Sequence, residues 1–188
     1  QPTDTTFVGT QLAMSATSKL VGGLIDISRK AKYNKTWEIG DINSDNALLF
    51  IPDENLLVVG STGSTSSVDG LRLFSVDENS MEIIEVDNSD FSALSDLDCQ
   101  GISYGGGYLF VGINEYPWGK LYKKENGGFN FLFDTPEIGS KPISSSISAS
   151  GNYLIVTNGI KQSSSIKSVL YDIQEQSMIW SDNTGYGH

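Results

Sequence analysis

The chain has 188 residues, 38% of them hydrophobic and 19% charged, a composition that fits one globular domain with a sizeable core. Its formal net charge of -11 at pH 7 repels nucleic acid and anionic membranes, so charge-driven binding is confined to cations and basic partners. The single cysteine, Cys99, excludes an internal disulfide and a cysteine-built zinc site, and the single histidine, His188, is the last residue, which argues against a Ser-His-Asp or Cys-His catalytic pair.

In chain order, the first apolar burst is "LAMSATSKLVGG", Leu12 to Gly23. It reads as a strand, an Ala-Thr-Ser turn and a second strand. Two more strands are expected in "GLIDIS" and "KTWEI". The second burst, "ALLFIPDENLLVVGS", turns at Pro-Asp-Glu-Asn and continues into "GLRLFSV" and "MEIIEV". The third, "GISYGGGYLFVGI", turns at Gly105 to Gly107 and continues into "GKLYKK" and "FNFLF". The fourth, "SSISASGNYLIVTNG", turns at Ser-Gly-Asn and continues into "SVLYDI" and "SMIWS". Gly, Pro, Asn and Asp at the turns supply the positive or preset φ that hairpins need.

Each unit thus predicts four short antiparallel strands. The second strand is apolar at successive positions, so both of its faces are expected to be covered. The second strands start near Lys19, Leu56, Tyr108 and Tyr153, about 40 to 50 residues apart. Four strands per unit at that period predict an all-β fold of propeller blades, with an antiparallel β-sandwich as the alternative. The repeats run at about 8–41, 42–87, 88–134 and 135–182 within a single domain spanning 1–188. The extra length lies mainly in polar insertions between the second and third strands, which project from one end.

The motif "PISSSISASGNYLIVTNG…SVLYDIQEQSMIWS" resembles the WD40-like and quinoprotein-like β-propeller repeats, with Tyr171-Asp172 where the family's Trp-Asp pair falls. The Gly-His pair of that family is missing from all four repeats. "FVGTQLAMSATSKLVGG" is also similar to FG-GAP propeller repeats. These resemblances imply a propeller or a propeller arc. Four blades stand at the lower end of the closed range, which leaves three readings open: a closed four-bladed ring, part of a larger ring, and an arc that pairs with another chain, with part of a larger propeller or assembly the expected one.

Carboxylates are the remaining chemistry. In "DINSDN", Asp41, Asn43 and Asp45 alternate as oxygen ligands do in a calcium loop, but Asn46 and Pro52 stand where such a loop has Gly and Glu. The competing reading is an inter-blade turn in which these side chains bond their own backbone. "DNSDFSALSDLD", Asp87 to Asp98, reads as a solvated acidic loop. The loop "NEYPWGK" carries the best contact residues, Tyr116, Trp118 and Lys120, with Pro117 between the aromatics to stiffen it. The competing reading folds Trp118 onto its own blade. Trp37 and Trp180 lie on apolar strands and are expected in the core. Cys99 is expected to be a buried, inert thiol.

The sequence therefore predicts a non-catalytic interaction or scaffold module without a cofactor. It would serve a larger assembly of protein subunits, copies of itself included, with no nucleic acid and no membrane insertion. By analogy the setting is a virion, such as a phage tail, or an extracellular surface rather than the cytoplasm. The alternatives are a calcium-dependent or carbohydrate-binding propeller, and a glycan-active enzyme using paired carboxylates.

Overall fold

The structure, a computed structural model, describes residues 10–14, 19–26, 32–41, 47–60, 70–77, 80, 82–94, 97–158 and 168–182, with backbone alone in 10–41. The first sheet holds β1 (Thr10–Met14), β2 (Lys19–Asp26) and β3 (Lys32–Asp41). The second holds β4 (Ala47–Ile51), β5 (Leu56–Gly60), β6 (Leu71–Asp77) and β7 (Glu82–Val86). The third holds β8 (Cys99–Gly105), β9 (Tyr108–Ile113), β10 (Gly119–Glu125) and β11 (Gly128–Asp134). The fourth holds β12 (Pro142–Ile147), β13 (Tyr153–Asn158), β14 (Ser168–Asp172) and β15 (Ser177–Asp182). Every sheet is an antiparallel meander in chain order. Sheets 2, 3 and 4 meet along their first strands, with β8 packed against both β4 and β12. This is an arc of propeller blades, not a closed ring.

The first sheet corrects one expectation. It has three strands among the described residues, because β2 runs straight through the Gly22-Gly23 step where a strand break is predicted. Gly22 lies opposite Leu12 on β1 and Trp37 on β3, so the pair stays in the ladder on both sides. Glycine permits a turn, but cross-strand pairing on two edges holds it extended.

The described hairpins form where the turn chemistry places them. Asn55 adopts a left-handed φ of 52° and donates its N–H to Pro52 O at 3.2 Å. Ser148 Oγ accepts the N–H groups of Asn152 and Tyr153, each at 3.1 Å. Asp172 Oδ1 accepts those of Gln174 and Glu175 at 2.9 and 3.0 Å. Gly106 (φ 55°) is pressed against the next hairpin, where an added Cβ would stand 2.2 Å from Gly151 N. No other residue fits there.

The core consists of the spaces between sheets. Along β5, Leu56 and Val58 point toward sheet 3, whereas Leu57 and Val59 form a cluster on the opposite face. Along β9, Leu109 and Val111 face sheet 2 and Phe110 faces sheet 4. Covering both faces explains the unbroken apolar runs of β5 and β9. Cross-strand rows make the contact. Val58 pairs with Leu73 and Leu73 with Val86, all three packed in the space between sheets 2 and 3. Phe110 pairs with Leu121 and Leu121 with Phe133, all packed between sheets 3 and 4. The equivalent row of sheet 4 is Ile155, Leu170 and Trp180. It is uncovered: Ile155 is 42% exposed and Trp180 48%, so the expected core position of Trp180 is corrected. The reason is positional, because no described sheet follows the fourth.

Candidate functional site

A four-stranded meander puts its two hairpins at one end. The connections between second and third strands, together with the linkers between sheets, fall at the other end. The loop from Asn114 to Trp118 therefore lies with the linker 87–98 at the end that carries the insertions. Asn114 ties the two together. It donates its N–H to Asp98 O at 3.3 Å and its Nδ2 to Asp98 Oδ2 at 2.8 Å. The loop is closed by backbone bonds from Ile113 N–H to Trp118 O at 2.9 Å and from Trp118 N–H to Glu115 O at 2.6 Å. Tyr116-Pro117 is a cis peptide, and Trp118 turns at φ 73°.

The three predicted contact residues part company here. Tyr116 stands out at the loop tip, 75% exposed. Trp118 is half-buried against the cluster between sheets 3 and 4 and anchors the loop. Lys120 lies inside β10, where Nζ is 2.8 Å from Asp134 Oδ1 and 5.0 Å from the centre of the Phe131 ring. Gly119 precedes it because an added Cβ would stand 2.6 Å from both the Phe110 ring and Thr135 Oγ1. The calcium candidates lie outside this site. Asn43 and Asp45 fall outside the described residues, as does the side chain of Asp41 at the end of β3. Among the described residues, no three His, Cys, Asp or Glu groups stand close enough to hold a metal.

Lys120 lines a groove of about 430 Å³ with Ser89, Asp90, Ser92, Ala93, Tyr122, Phe131 and Asp134. One wall is the short 3-10 helix Ser89–Leu94 between sheets 2 and 3. That linker departs from the solvated loop expected of it. Asn88 Oδ1 accepts Phe129 N–H and its Nδ2 donates to Phe129 O, both at 3.1 Å. Asp90 Oδ2 accepts Phe131 N–H at 2.7 Å. The linker thus satisfies the edge strand β11 as another strand would, and Phe91 and Leu94 drop into the core beneath. Asn and Asp alternating ahead of two spaced apolar residues carry this signal in the sequence. An acidic composition alone hides it.

The groove floor is Tyr122, fully buried and edge-on to Phe91 with ring centres 5.3 Å apart. Burial, reinforced by nearby Cys99, Asp90 and Asp134, pushes its hydroxyl well above the ordinary phenol range. On the far side of the helix a second groove of about 430 Å³ includes Arg72 and Glu85. Arg72 grips Glu85 with two bonds, Nε to Oε1 at 2.7 Å and Nη2 to Oε2 at 2.6 Å. These bonds hold the Glu85 carboxyl below its ordinary value. Cys99 is buried, as expected. Burial first and Asp98 second push its thiol up to about 12, so it is a protonated packing group.

No protein-family model matches the sequence, and no curated protein matches it. Solved structures do. A protein from Lactobacillus plantarum superposes with a TM-score of 0.62 at 11% identity, covering 92% of this chain and 54% of its own. A chain of the nidogen/laminin complex gives 0.55 at 16% identity, covering 94% and 64%. The β-propeller domain of Cps50 (Swd1) from Myceliophteria thermophila gives 0.51 at 14% identity, covering 81% and 48%. At these identities the likeness shows the fold alone. The chain spans about half the length of the first of these structures.

Proposed function

Starting from the β-propeller fold of this chain, we propose that it is a non-catalytic interaction module engaging protein partners through its insertion-bearing end, with Tyr116 as the anchor. The observation that carries the reading is Tyr116 itself, 75% exposed on a loop otherwise fixed from within. Trp118 packs the base of the loop, Asn114 holds it to Asp98, and backbone bonds close it. An exposed aromatic on a preorganised loop loses little entropy on binding and buries a large area, which is the profile of an interface hot spot. One similar structure comes from a complex of two proteins, nidogen and laminin. The Ser- and Gly-rich insertions of the sequence suit a particle or extracellular surface, where polar loops meet partners from solution.

The test is affinity capture from the native source with the wild-type chain and with Tyr116→Ala in parallel. Because Tyr116 is exposed, the melting temperature is expected to stay the same. A specific subset of captured proteins is expected to be lost with the variant. Identical captured sets at equal folding would overturn the reading.

A further inference from the structure

The groove between the 3-10 helix Ser89–Leu94 and the outer strands of sheet 3 shares no lining residue with the loop that carries Tyr116. Its floor is Tyr122, whose hydroxyl is buried without a hydrogen-bond partner. Burial keeps that hydroxyl protonated, so it is a donor that lacks an acceptor, which is costly in a folded chain. Beside it Phe131, its cross-strand partner, is 46% exposed. A buried donor without a partner and an open aromatic ring therefore meet in one groove of about 430 Å³.

The charges in the groove select among occupants. Lys120 Nζ is bound to Asp134 Oδ1, and Asp90 Oδ2 accepts Phe131 N–H. An entering anion would face the carboxylates of Asp90 and Asp134, and an entering cation would face the Lys120 ammonium. A neutral molecule meets neither penalty. To satisfy the groove it must accept hydrogen bonds from Tyr122 and Lys120, donate to the carboxylates and lay an apolar face on Phe131. A sugar ring does all three, because adjacent hydroxyls each donate and accept while its C–H face is apolar. The groove also lies within the size range of small-ligand sites. We propose that it is a binding site for a neutral sugar residue, with Phe131 as the platform and Tyr122, Lys120, Asp90 and Asp134 as the polar contacts.

The experiment is saturation-transfer difference NMR on the full chain with D-glucose, D-galactose, D-mannose and N-acetyl-D-glucosamine. N-acetylglycinamide, a neutral amide, serves as the control. At least one sugar is expected to show transfer, strongest at its ring C–H protons, and the amide none. Phe131→Ala and Tyr122→Phe are each expected to weaken that sugar's affinity by about tenfold or more. Tyr122→Phe removes only an unpartnered buried hydroxyl from the free protein, so its melting temperature is expected to hold or rise, which separates lost binding from lost folding. Absence of transfer from every sugar overturns the proposal, as does transfer that both variants leave intact or transfer to the amide alone. Tyr116→Ala is expected to keep the sugar signal, so this proposal and the one above fail separately.

Discussion

Sheets 3 and 4 have the same strand order, equivalent hairpins and matching cross-strand rows, yet one is buried on both faces and the other on one. In β9, Leu109, Phe110 and Val111 are all fully buried; in β13, Leu154 and Val156 are buried while Ile155 between them is 42% exposed. The difference shows that burial in this fold belongs to the space between sheets and not to a sheet itself. A single meander cannot hide both of its faces, so each gains stability only from a neighbour.

The largest expected effect tests that contrast directly. Phe110→Ala opens a cavity between two sheets and is expected to cost about 3 to 5 kcal/mol, whereas Ile155→Ala at the equivalent position costs under about 1 kcal/mol. Denaturant unfolding of the two variants measures both. Equal losses would mean that the face of sheet 4 is already covered.

A smaller effect sharpens the junction between these two sheets. Both Gly106 and Gly127 have positive φ, but only Gly106 lies against another hairpin, 2.2 Å from a backbone nitrogen at its would-be Cβ. Gly127→Ala is expected to cost about 1 kcal/mol for conformation alone. Gly106→Ala should cost visibly more, because backbone must move, and its thermal midpoint should fall further than that of Gly127→Ala.

The smallest effect concerns the outer edge of sheet 2, where a partly exposed ion pair sets the energy. Glu85 is held below its ordinary value chiefly by the hydrogen bond from Arg72. The ionised form is therefore favoured by folding. That contribution is present above the ordinary carboxylate value and fades as pH falls through the lowered one. The pair is partly exposed, so the gain is small and screened by salt. Glu85→Gln is expected to lower stability slightly at neutral pH and leave it nearly unchanged in acid, so that the acid limb flattens in denaturant unfolding measured across pH.

Much of this molecule is readable from local chemistry. Pro52 to Asn55, Gly105 to Gly107 and Ser148 to Gly151 announce their hairpins because turn geometry is decided within four residues. The exposed Tyr116 and the anchoring Trp118 share one loop, and only tertiary packing separates their roles. Lys120 illustrates the same limit, since its partners Asp134 and Phe131 come from the next strand and its groove from a linker. The clamp of Asn88 and Asp90 on β11 joins residues 41 positions apart, beyond the reach of any local pattern.

For sheets 2 to 4 the sequence by itself determined the strand order and the described hairpin turns, because these follow from alternation and φ preference along a short stretch of chain. Tertiary structure decided which faces of those strands became core, because burial needs a second surface. Gly22-Gly23 stays extended because strands on both sides pair with it, and Trp180 is exposed because its row has no described sheet against it.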